Sequence, residues 1–135
     1  MIFNFDISTA ANVTQDDPTL TRLTLSHGII HQLGVGFPPG PAGLLHLQLL
    51  TGEHQAWPSN GQGDFNWDGA FFQWLEWYPL EVEPYELVAR TWNEDDTYAH
   101  GLQIQVSLLP REVLVPVSES LPLLRRISRS LLGAG

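Results

Sequence analysis

Hydrophobic and polar residues alternate along most of the chain up to residue 109. The clearest case is GLQIQVSLL (101–109), in which leucine, isoleucine and valine alternate with glutamine and serine. This period of two is typical of β-strands that bury one face. Turn sequences rich in proline, glycine and asparagine, such as FPPGPAG and SNGQGD, separate segments of this kind. The alternation recurs in 2–7, 20–37, 44–50 and 84–92.

About seven to nine short strands without helical segments between them predict an all-β fold, an antiparallel β-sandwich or jelly roll. We assign residues 1–109 to this domain. Beyond Pro110 the pattern changes, because REVLVPV is extended in character and the segment from Ser120 to Gly133 has the caps of a short amphipathic helix. Residues 110–135 are therefore predicted to form an extended C-terminal arm and a short terminal helix.

The predicted terminal helix carries one apolar face and three arginines. A helix of about twelve residues is marginal by itself, so its apolar face needs the sandwich or a neighbouring chain to cover it. The arginines suit an acidic neighbour. We therefore expect a homo-oligomer or a layered assembly. The interface candidates in this helix are Leu123, Leu124, Arg125, Arg126, Ile127, Arg129 and Leu131.

Charge and composition narrow the function classes. Fifteen acidic residues face six basic ones, all of them arginine, for a net charge of −9. Such a surface repels phosphate, so direct binding of nucleic acid is not expected. The chain has no cysteine, which excludes disulfides and thiolate chemistry. The start MIFNFDIS does not resemble a signal peptide, and no window reaches the roughly 18 apolar residues of a membrane helix, so no membrane partner is expected.

The stretch TLSHGIIHQLGVGF (24–37) places His27 and His31 on one face in either regular structure. In a helix they would lie about 6 Å apart and could share a zinc ion, whereas in a strand the separation is roughly 13 Å. The alternation favours a strand, or two strands broken near Gly28, and therefore argues against a shared metal. The opposite face is thinned by glycine, at Gly34 and Gly36 as well, which invites close approach of a neighbour's backbone or ring.

Other metal sites find weak support in the sequence. The five histidines lack the HxH pair of a cupin barrel. The hexapeptide DFNWDG (64–69) matches the opening of a calcium loop, in which oxygens of Asp64, Asn66 and Asp68 would face one cation, but Leu75 stands where the closing glutamate is needed. An Asx-rich turn is the simpler interpretation, with calcium as the alternative. The acidic loop at 93–96 presents the same choice, and there too a turn is favoured.

Aromatic residues crowd the segment AFFQWLEWY (70–78), in which both alternating faces are apolar. Both faces cannot belong to one core, so one of them is a candidate contact surface. We name Phe72, Trp74 and Tyr78 as its interface candidates. Contact with protein is favoured, because aromatic residues are enriched at subunit interfaces. A carbohydrate- or ligand-binding β-sandwich is the alternative, since rings beside acids also stack on sugars.

No arrangement of residues typical of catalysis is visible. The motif GxSxG is absent, and the neighbours Ser26 and His27 would point to opposite faces of a strand. We therefore assign no catalytic residues, no metal ligands and no cofactor, and expect a non-enzymatic protein. A calcium-dependent or other metal-dependent β-sandwich is a third possibility.

The strand pattern of 2–109, the turns FPPGPAG and WPSNGQGD, and the C-terminal REVLVPVSESLPLLRRISRSLLGAG together resemble accessory capsid proteins of tailed double-stranded DNA viruses. These are decoration, cement or minor capsid proteins, and many have jelly-roll folds. The resemblance implies a structural role in a virion assembled in the host cytoplasm, with copies of the chain or the major capsid protein as partners. It covers most of the chain, without a specific motif, and carries over no functional residues.

Overall fold

Eight strands in two antiparallel sheets make up residues 1–110, the part of the chain that the computed structural model describes. The strands are β1 (Ile2–Thr9), β2 (Thr19–Thr24), β3 (Gly28–Phe37), β4 (Leu45–Thr51), β5 (His54–Trp57), β6 (Ala70–Leu80), β7 (Glu86–Asn93) and β8 (His100–Leu109). The front sheet has the order β1-β8-β3-β6 and the back sheet the order β2-β7-β4-β5. The all-β prediction is confirmed, and the two sheets are consistent with a β-sandwich.

The predicted arm and terminal helix, apart from Pro110, lie outside the described residues. So do the seven interface candidates between Leu123 and Leu131. Among residues 1–110 no helix has the length and apolar character that crossing a membrane requires.

The core lies between the two sheets and is built by every second side chain of the central strands. In β8 these are Leu102, Ile104, Val106 and Leu108, as the alternation of 101–109 predicts, and all are buried. The back sheet contributes Leu45, Leu47 and Leu49 of β4, which are fully buried. Burial of these aliphatic side chains, at about 25 cal/mol per Å² of apolar surface, is the main force holding the sheets together.

Strand β3 contains a bulge at His31 that the alternation does not reveal. The register of β3 against both β6 and β8 shifts between Ile30 and Gln32. One extra residue reverses the side to which the following side chains point, so Ile30 is buried before the bulge and Leu33 after it. The chain also crosses from one sheet to the other between β2 and β3, and His27 lies in that break rather than in one strand with His31.

A candidate binding face

The outer face of the front sheet carries a row of amide side chains across its strands. Cross-strand pairing aligns Asn4 of β1 with Gln105 of β8, Gln105 with Gly34 of β3, and Gly34 with Gln73 of β6. The Gln73 amide donates to Gln105 Oε1 at 3.2 Å, and Gln32 Nε2 donates to Gln73 Oε1 at 3.3 Å. These contacts hold the amides in a flat, uncharged layer over the sheet.

The ring of Phe71 lies over the two glycines in the middle of β3. A Cβ atom placed on Gly34 or on Gly36 would approach Phe71 ring carbons at 2.9 Å, which is closer than carbon atoms pack. Glycine at both positions therefore makes room for the aromatic ring of the neighbouring strand. Gly34 and Gly36 thus receive a ring. The prediction that Gly28 shares their face was wrong, because the bulge in β3 reverses the side of the strand between them. At Gly28 a Cβ would instead lie 2.5 Å from the Leu109 carbonyl oxygen.

Strand β6 is an edge of the front sheet and leaves three large apolar side chains in solvent. Phe71 is 55% exposed, Leu75 79% and Trp77 61%. An edge strand has unpaired backbone groups that can pair with another chain. Natural edge strands often carry charged side chains that prevent such pairing, so three exposed apolar side chains on an edge strand are unusual.

The interface candidates Phe72, Trp74 and Tyr78 are on the opposite face of β6. The structure turns all three inward, where they are half-buried and pack against the core. The physical reason is long-range, since Phe65 from the β5–β6 connection packs 5.3 Å from Phe72 and Trp57 packs 5.3 Å from Tyr78, measured between ring centroids. A role for these three in an interface stays a prediction, but the apolar side chains that β6 exposes are Phe71, Leu75 and Trp77.

Acidic side chains largely avoid this outer face. Within the described strands of the front sheet, Asp6 of β1 is the only carboxylate on the outer side, at the edge opposite β6. The carboxylate of β6, Glu76, points to the inner side and accepts a hydrogen bond from Trp57 Nε1 at 2.9 Å. In a chain of net charge −9, this face is therefore a nearly neutral surface of amides, glycine and aromatic rings.

The two carboxylates of the DFNWDG stretch turn to different partners. Asp64 Oδ1 lies 2.8 Å from His46 Nδ1 and also accepts from the Asn66 amide. Asp68 Oδ1 accepts backbone N–H groups of Gly40 at 2.7 Å and Ala42 at 3.1 Å. These N–H groups, Ala42 first and Gly40 second, hold the pKa of Asp68 below its ordinary value because they stabilise the ionised carboxylate. The Oδ1 atoms of the two carboxylates are therefore directed to different partners, and calcium binding at this turn stays a prediction.

The histidines are spread over separate places. His46 stacks on Trp92 with ring centroids 5.0 Å apart, and its Nε2 lies 3.3 Å from Glu94 Oε1. His100 Nε2 lies 2.7 Å from Asp95 Oδ2. His27 stacks on Tyr85. Among residues 1–110, no group of three histidine or acidic side chains is arranged to hold a metal ion.

The acidic loop after β7 forms a turn organised by Asp95. Its Oδ1 accepts the backbone N–H groups of Thr97 at 2.8 Å and Tyr98 at 3.2 Å. The Thr97 N–H, followed by the contact with His100, holds the pKa of Asp95 below its ordinary value. The loop is fixed to the core by Asn93, a buried side chain that donates to the Tyr98 carbonyl oxygen at 2.9 Å.

Comparisons with known proteins do not identify a family for this chain. No protein-family model matches it, and no curated protein matches it. One solved structure similar to it is PliG of Aeromonas hydrophila, a periplasmic inhibitor of g-type lysozyme. The two sequences are 13% identical and the TM-score is 0.41, with 80% of this chain and 86% of PliG covered. Another is FlhE, at 13% identity and a TM-score of 0.40 over 78% and 95% of the two chains.

A third similar structure is a protein of the disulfide-linked pili that form Bacillus endospore appendages. It is 11% identical to this chain, with a TM-score of 0.31 over 81% of this chain and 88% of that one. None of the three is a capsid protein, and similarity at this level assigns no function.

Proposed function

We propose that this chain is a non-enzymatic structural protein that assembles with copies of itself, or with a larger shell, through the outer face of the front sheet. The observation that carries the proposal is the exposed row of Phe71, Leu75 and Trp77 on an edge strand of a nearly neutral face. Contiguous exposed apolar surface on a soluble domain marks interaction sites. The remainder of the surface carries the acids that keep the domain soluble.

The order of the strands supports a jelly roll as the finer description of the fold. The first strand pairs with the last, β2 with β7, β3 with β6 and β4 with β5. This is the pairing of one long hairpin folded over into two sheets. Every connection except β4–β5 crosses from one sheet to the other. Jelly rolls of eight strands are common in viral capsid and lectin domains, which agrees with a structural role.

The two edge strands of the front sheet, β1 and β6, differ in the polarity and charge of the side chains that they would bring to a contact. The outer side of β1 carries exposed Asn4, Asp6 and Ser8, with Ile2 as its one exposed apolar residue. On β6 the single carboxylate, Glu76, is turned inward to Trp57, so no carboxylates within β6 itself would meet if the β6 strands of two copies paired. Edge-to-edge pairing of β6 therefore combines backbone hydrogen bonds with burial of the apolar row.

The proposed setting is a virion, with the major capsid protein as the larger partner and assembly in the host cytoplasm. This part rests on the sequence resemblance to accessory capsid proteins together with the jelly-roll pairing. It includes no cofactor, no membrane and no direct contact with nucleic acid. A gene position beside capsid or tail genes would support it, whereas a position among genes of unrelated metabolism would contradict it.

Light scattering after size-exclusion chromatography tests whether the chain assembles through the outer face of the front sheet. We expect the full-length chain to form an oligomer and the Leu75→Glu variant to shift towards the monomer, because a carboxylate would replace an apolar contact. Leu20→Glu is the matched control, since Leu20 is likewise an exposed leucine on an edge strand, in the back sheet. A wild-type monomer at every concentration would contradict self-assembly, and an oligomer equally stable in Leu75→Glu would exclude this face.

A further inference from the structure

A pocket of about 540 Å³ lies between the β5–β6 connection and the start of β6. Its volume is within the range of small-molecule sites. Its lining includes four aromatic residues and two residues with polar side chains: Phe65, Trp67, Phe71, Phe72, Asn60 and Asp64.

The aromatic residues divide into a floor and a rim. Phe65 and Phe72 are half-buried and pack together with ring centroids 5.3 Å apart. Trp67 contacts Phe72 at 6.1 Å between centroids, yet 55% of it stays exposed. The exposed indole, with Phe71 also lining the pocket, offers a planar apolar surface to a ligand in solution.

The polar groups of the pocket are held in place by contacts behind it. Asp64 uses Oδ1 for His46 Nδ1 at 2.8 Å, which fixes the carboxylate, and no described side chain hydrogen-bonds its Oδ2. The turn that carries Asn60 is closed by a hydrogen bond from the Gly63 N–H to the Asn60 carbonyl oxygen at 2.8 Å. The Asn60 side chain itself is exposed at the rim. Together they supply one acceptor and one amide beside the aromatic surface.

We propose that this pocket binds a neutral sugar, one or two uncharged pyranose rings of a glycan. The apolar C–H face of a pyranose stacks on an exposed aromatic ring, and its hydroxyl groups hydrogen-bond to a carboxylate and an amide. Trp67, Asp64 and Asn60 supply these three elements around one pocket. The proposal does not rest on assembly through the outer face of the front sheet, although Phe71 belongs both to that face and to the pocket.

The charges and the ring packing select among ligand classes. No basic side chain lines the pocket among the described residues, and the chain carries a net charge of −9, so acidic sugars and phosphates are repelled. An ammonium ligand needs free ring faces around it. Here Phe72 packs in tilted pairs against both Phe65 and Trp67, so these rings face each other instead of enclosing a cation.

Binding of defined glycans to the full-length chain tests the proposal. A glycan array screens neutral and acidic oligosaccharides, and calorimetric titration with the neutral hits gives affinities. We expect Trp67→Ala to lower the affinity at least about tenfold, with Trp67→Phe in between because it retains a ring. Tyr98→Ala is the matched control, since Tyr98 is an aromatic residue that is 67% exposed and lies outside both the pocket and the assembly face. It should leave sugar binding unchanged.

The outcomes separate this proposal from the assembly proposal. Loss of sugar binding in Trp67→Ala with an unchanged oligomer mass supports sugar binding at Trp67 without a role of Trp67 in assembly. The proposal is overturned if no neutral glycan binds the wild-type chain at about 1 mM, or if Trp67→Ala and Trp67→Phe both bind like the wild type. Preferred binding of sialylated glycans, or of tetramethylammonium in a parallel titration, would overturn it as well.

Discussion

The hydrogen bond from Trp57 Nε1 to Glu76 Oε1 joins the two sheets and gives a stringent test of the structure. It spans 2.9 Å between β5 of the back sheet and β6 of the front sheet. Trp57 is only 4% exposed, so water cannot readily replace a lost partner. Replacing Glu76 by alanine removes a charged acceptor from a buried N–H group, which costs about 1.5–3 kcal/mol. Glu76→Gln keeps an acceptor oxygen and should cost about 1 kcal/mol or less.

A double-mutant cycle isolates this bond from the packing around it. Trp57→Phe removes the N–H group but also changes the edge contact with Tyr78, at 5.3 Å between ring centroids. That packing loss is common to the single and double variants and cancels in the cycle. Urea unfolding of the wild type, Trp57→Phe, Glu76→Ala and the double variant should give a coupling energy of about 1–2 kcal/mol.

Additive losses in the free energy of unfolding for Trp57→Phe and Glu76→Ala would refute the hydrogen bond between the two side chains. If the losses sum to within about 0.3–0.5 kcal/mol, the carboxylate is not bonded to the indole. Glu76 would then be a solvated charge, and the edge strand β6 would present a free carboxylate to a neighbouring copy.

Two further predictions concern the backbone at β3 and the loops beside it. Gly28→Ala would place its Cβ 2.5 Å from the Leu109 carbonyl oxygen and should lower the free energy of unfolding in urea by about 1–3 kcal/mol. Gly61 has open space around it, so the control Gly61→Ala should change this free energy by less than about 0.5 kcal/mol. Equal stabilities of the two variants would contradict the close approach at Gly28. The pKa values of Asp68 and Asp95 lie below the ordinary 3.8, so their stabilising effect is present above that pH and is lost as the pH falls through the lowered values. Melting temperatures from neutral to strongly acidic pH should therefore fall less steeply in Asp68→Asn and Asp95→Asn, and wild-type pH profiles in both would contradict the assignment.

Local alternation predicted the strands well where a strand has one apolar face. In β8 the sequence shows which side chains are buried, because a period of two places alternate residues on one face of any sheet. In β3 the predicted face was right beyond the bulge, where Leu33 and Val35 are buried, and wrong before it, where Ile30 is buried instead of Ile29, because the bulge at His31 shifts the phase by one residue. A bulge depends on the register of two neighbouring strands, which the sequence of β3 alone does not contain.

Strand β6 shows why the candidate site could be predicted only in part. Both of its faces are aromatic, so the local pattern indicates a contact surface but not its side. Phe71 finds room over Gly34 and Gly36 of β3 on the outer face. On the inner face, Glu76 finds the buried indole N–H of Trp57. Glycine across from a large ring was the signal available in the sequence, but using it requires knowing that β3 and β6 pair.

The sequence by itself determined the class of fold, the positions of most strands and the acidic balance of the chain, because these depend on residue type and near-neighbour spacing. The tertiary structure decided which face of β6 meets solvent and which surface escapes the acidic charge. It also decided that the carboxylates of DFNWDG turn to His46 and to the backbone of Gly40 and Ala42. Those partners lie 18 to 28 residues away along the chain, and contacts at that distance are set by how the sheets pair, not by local spacing.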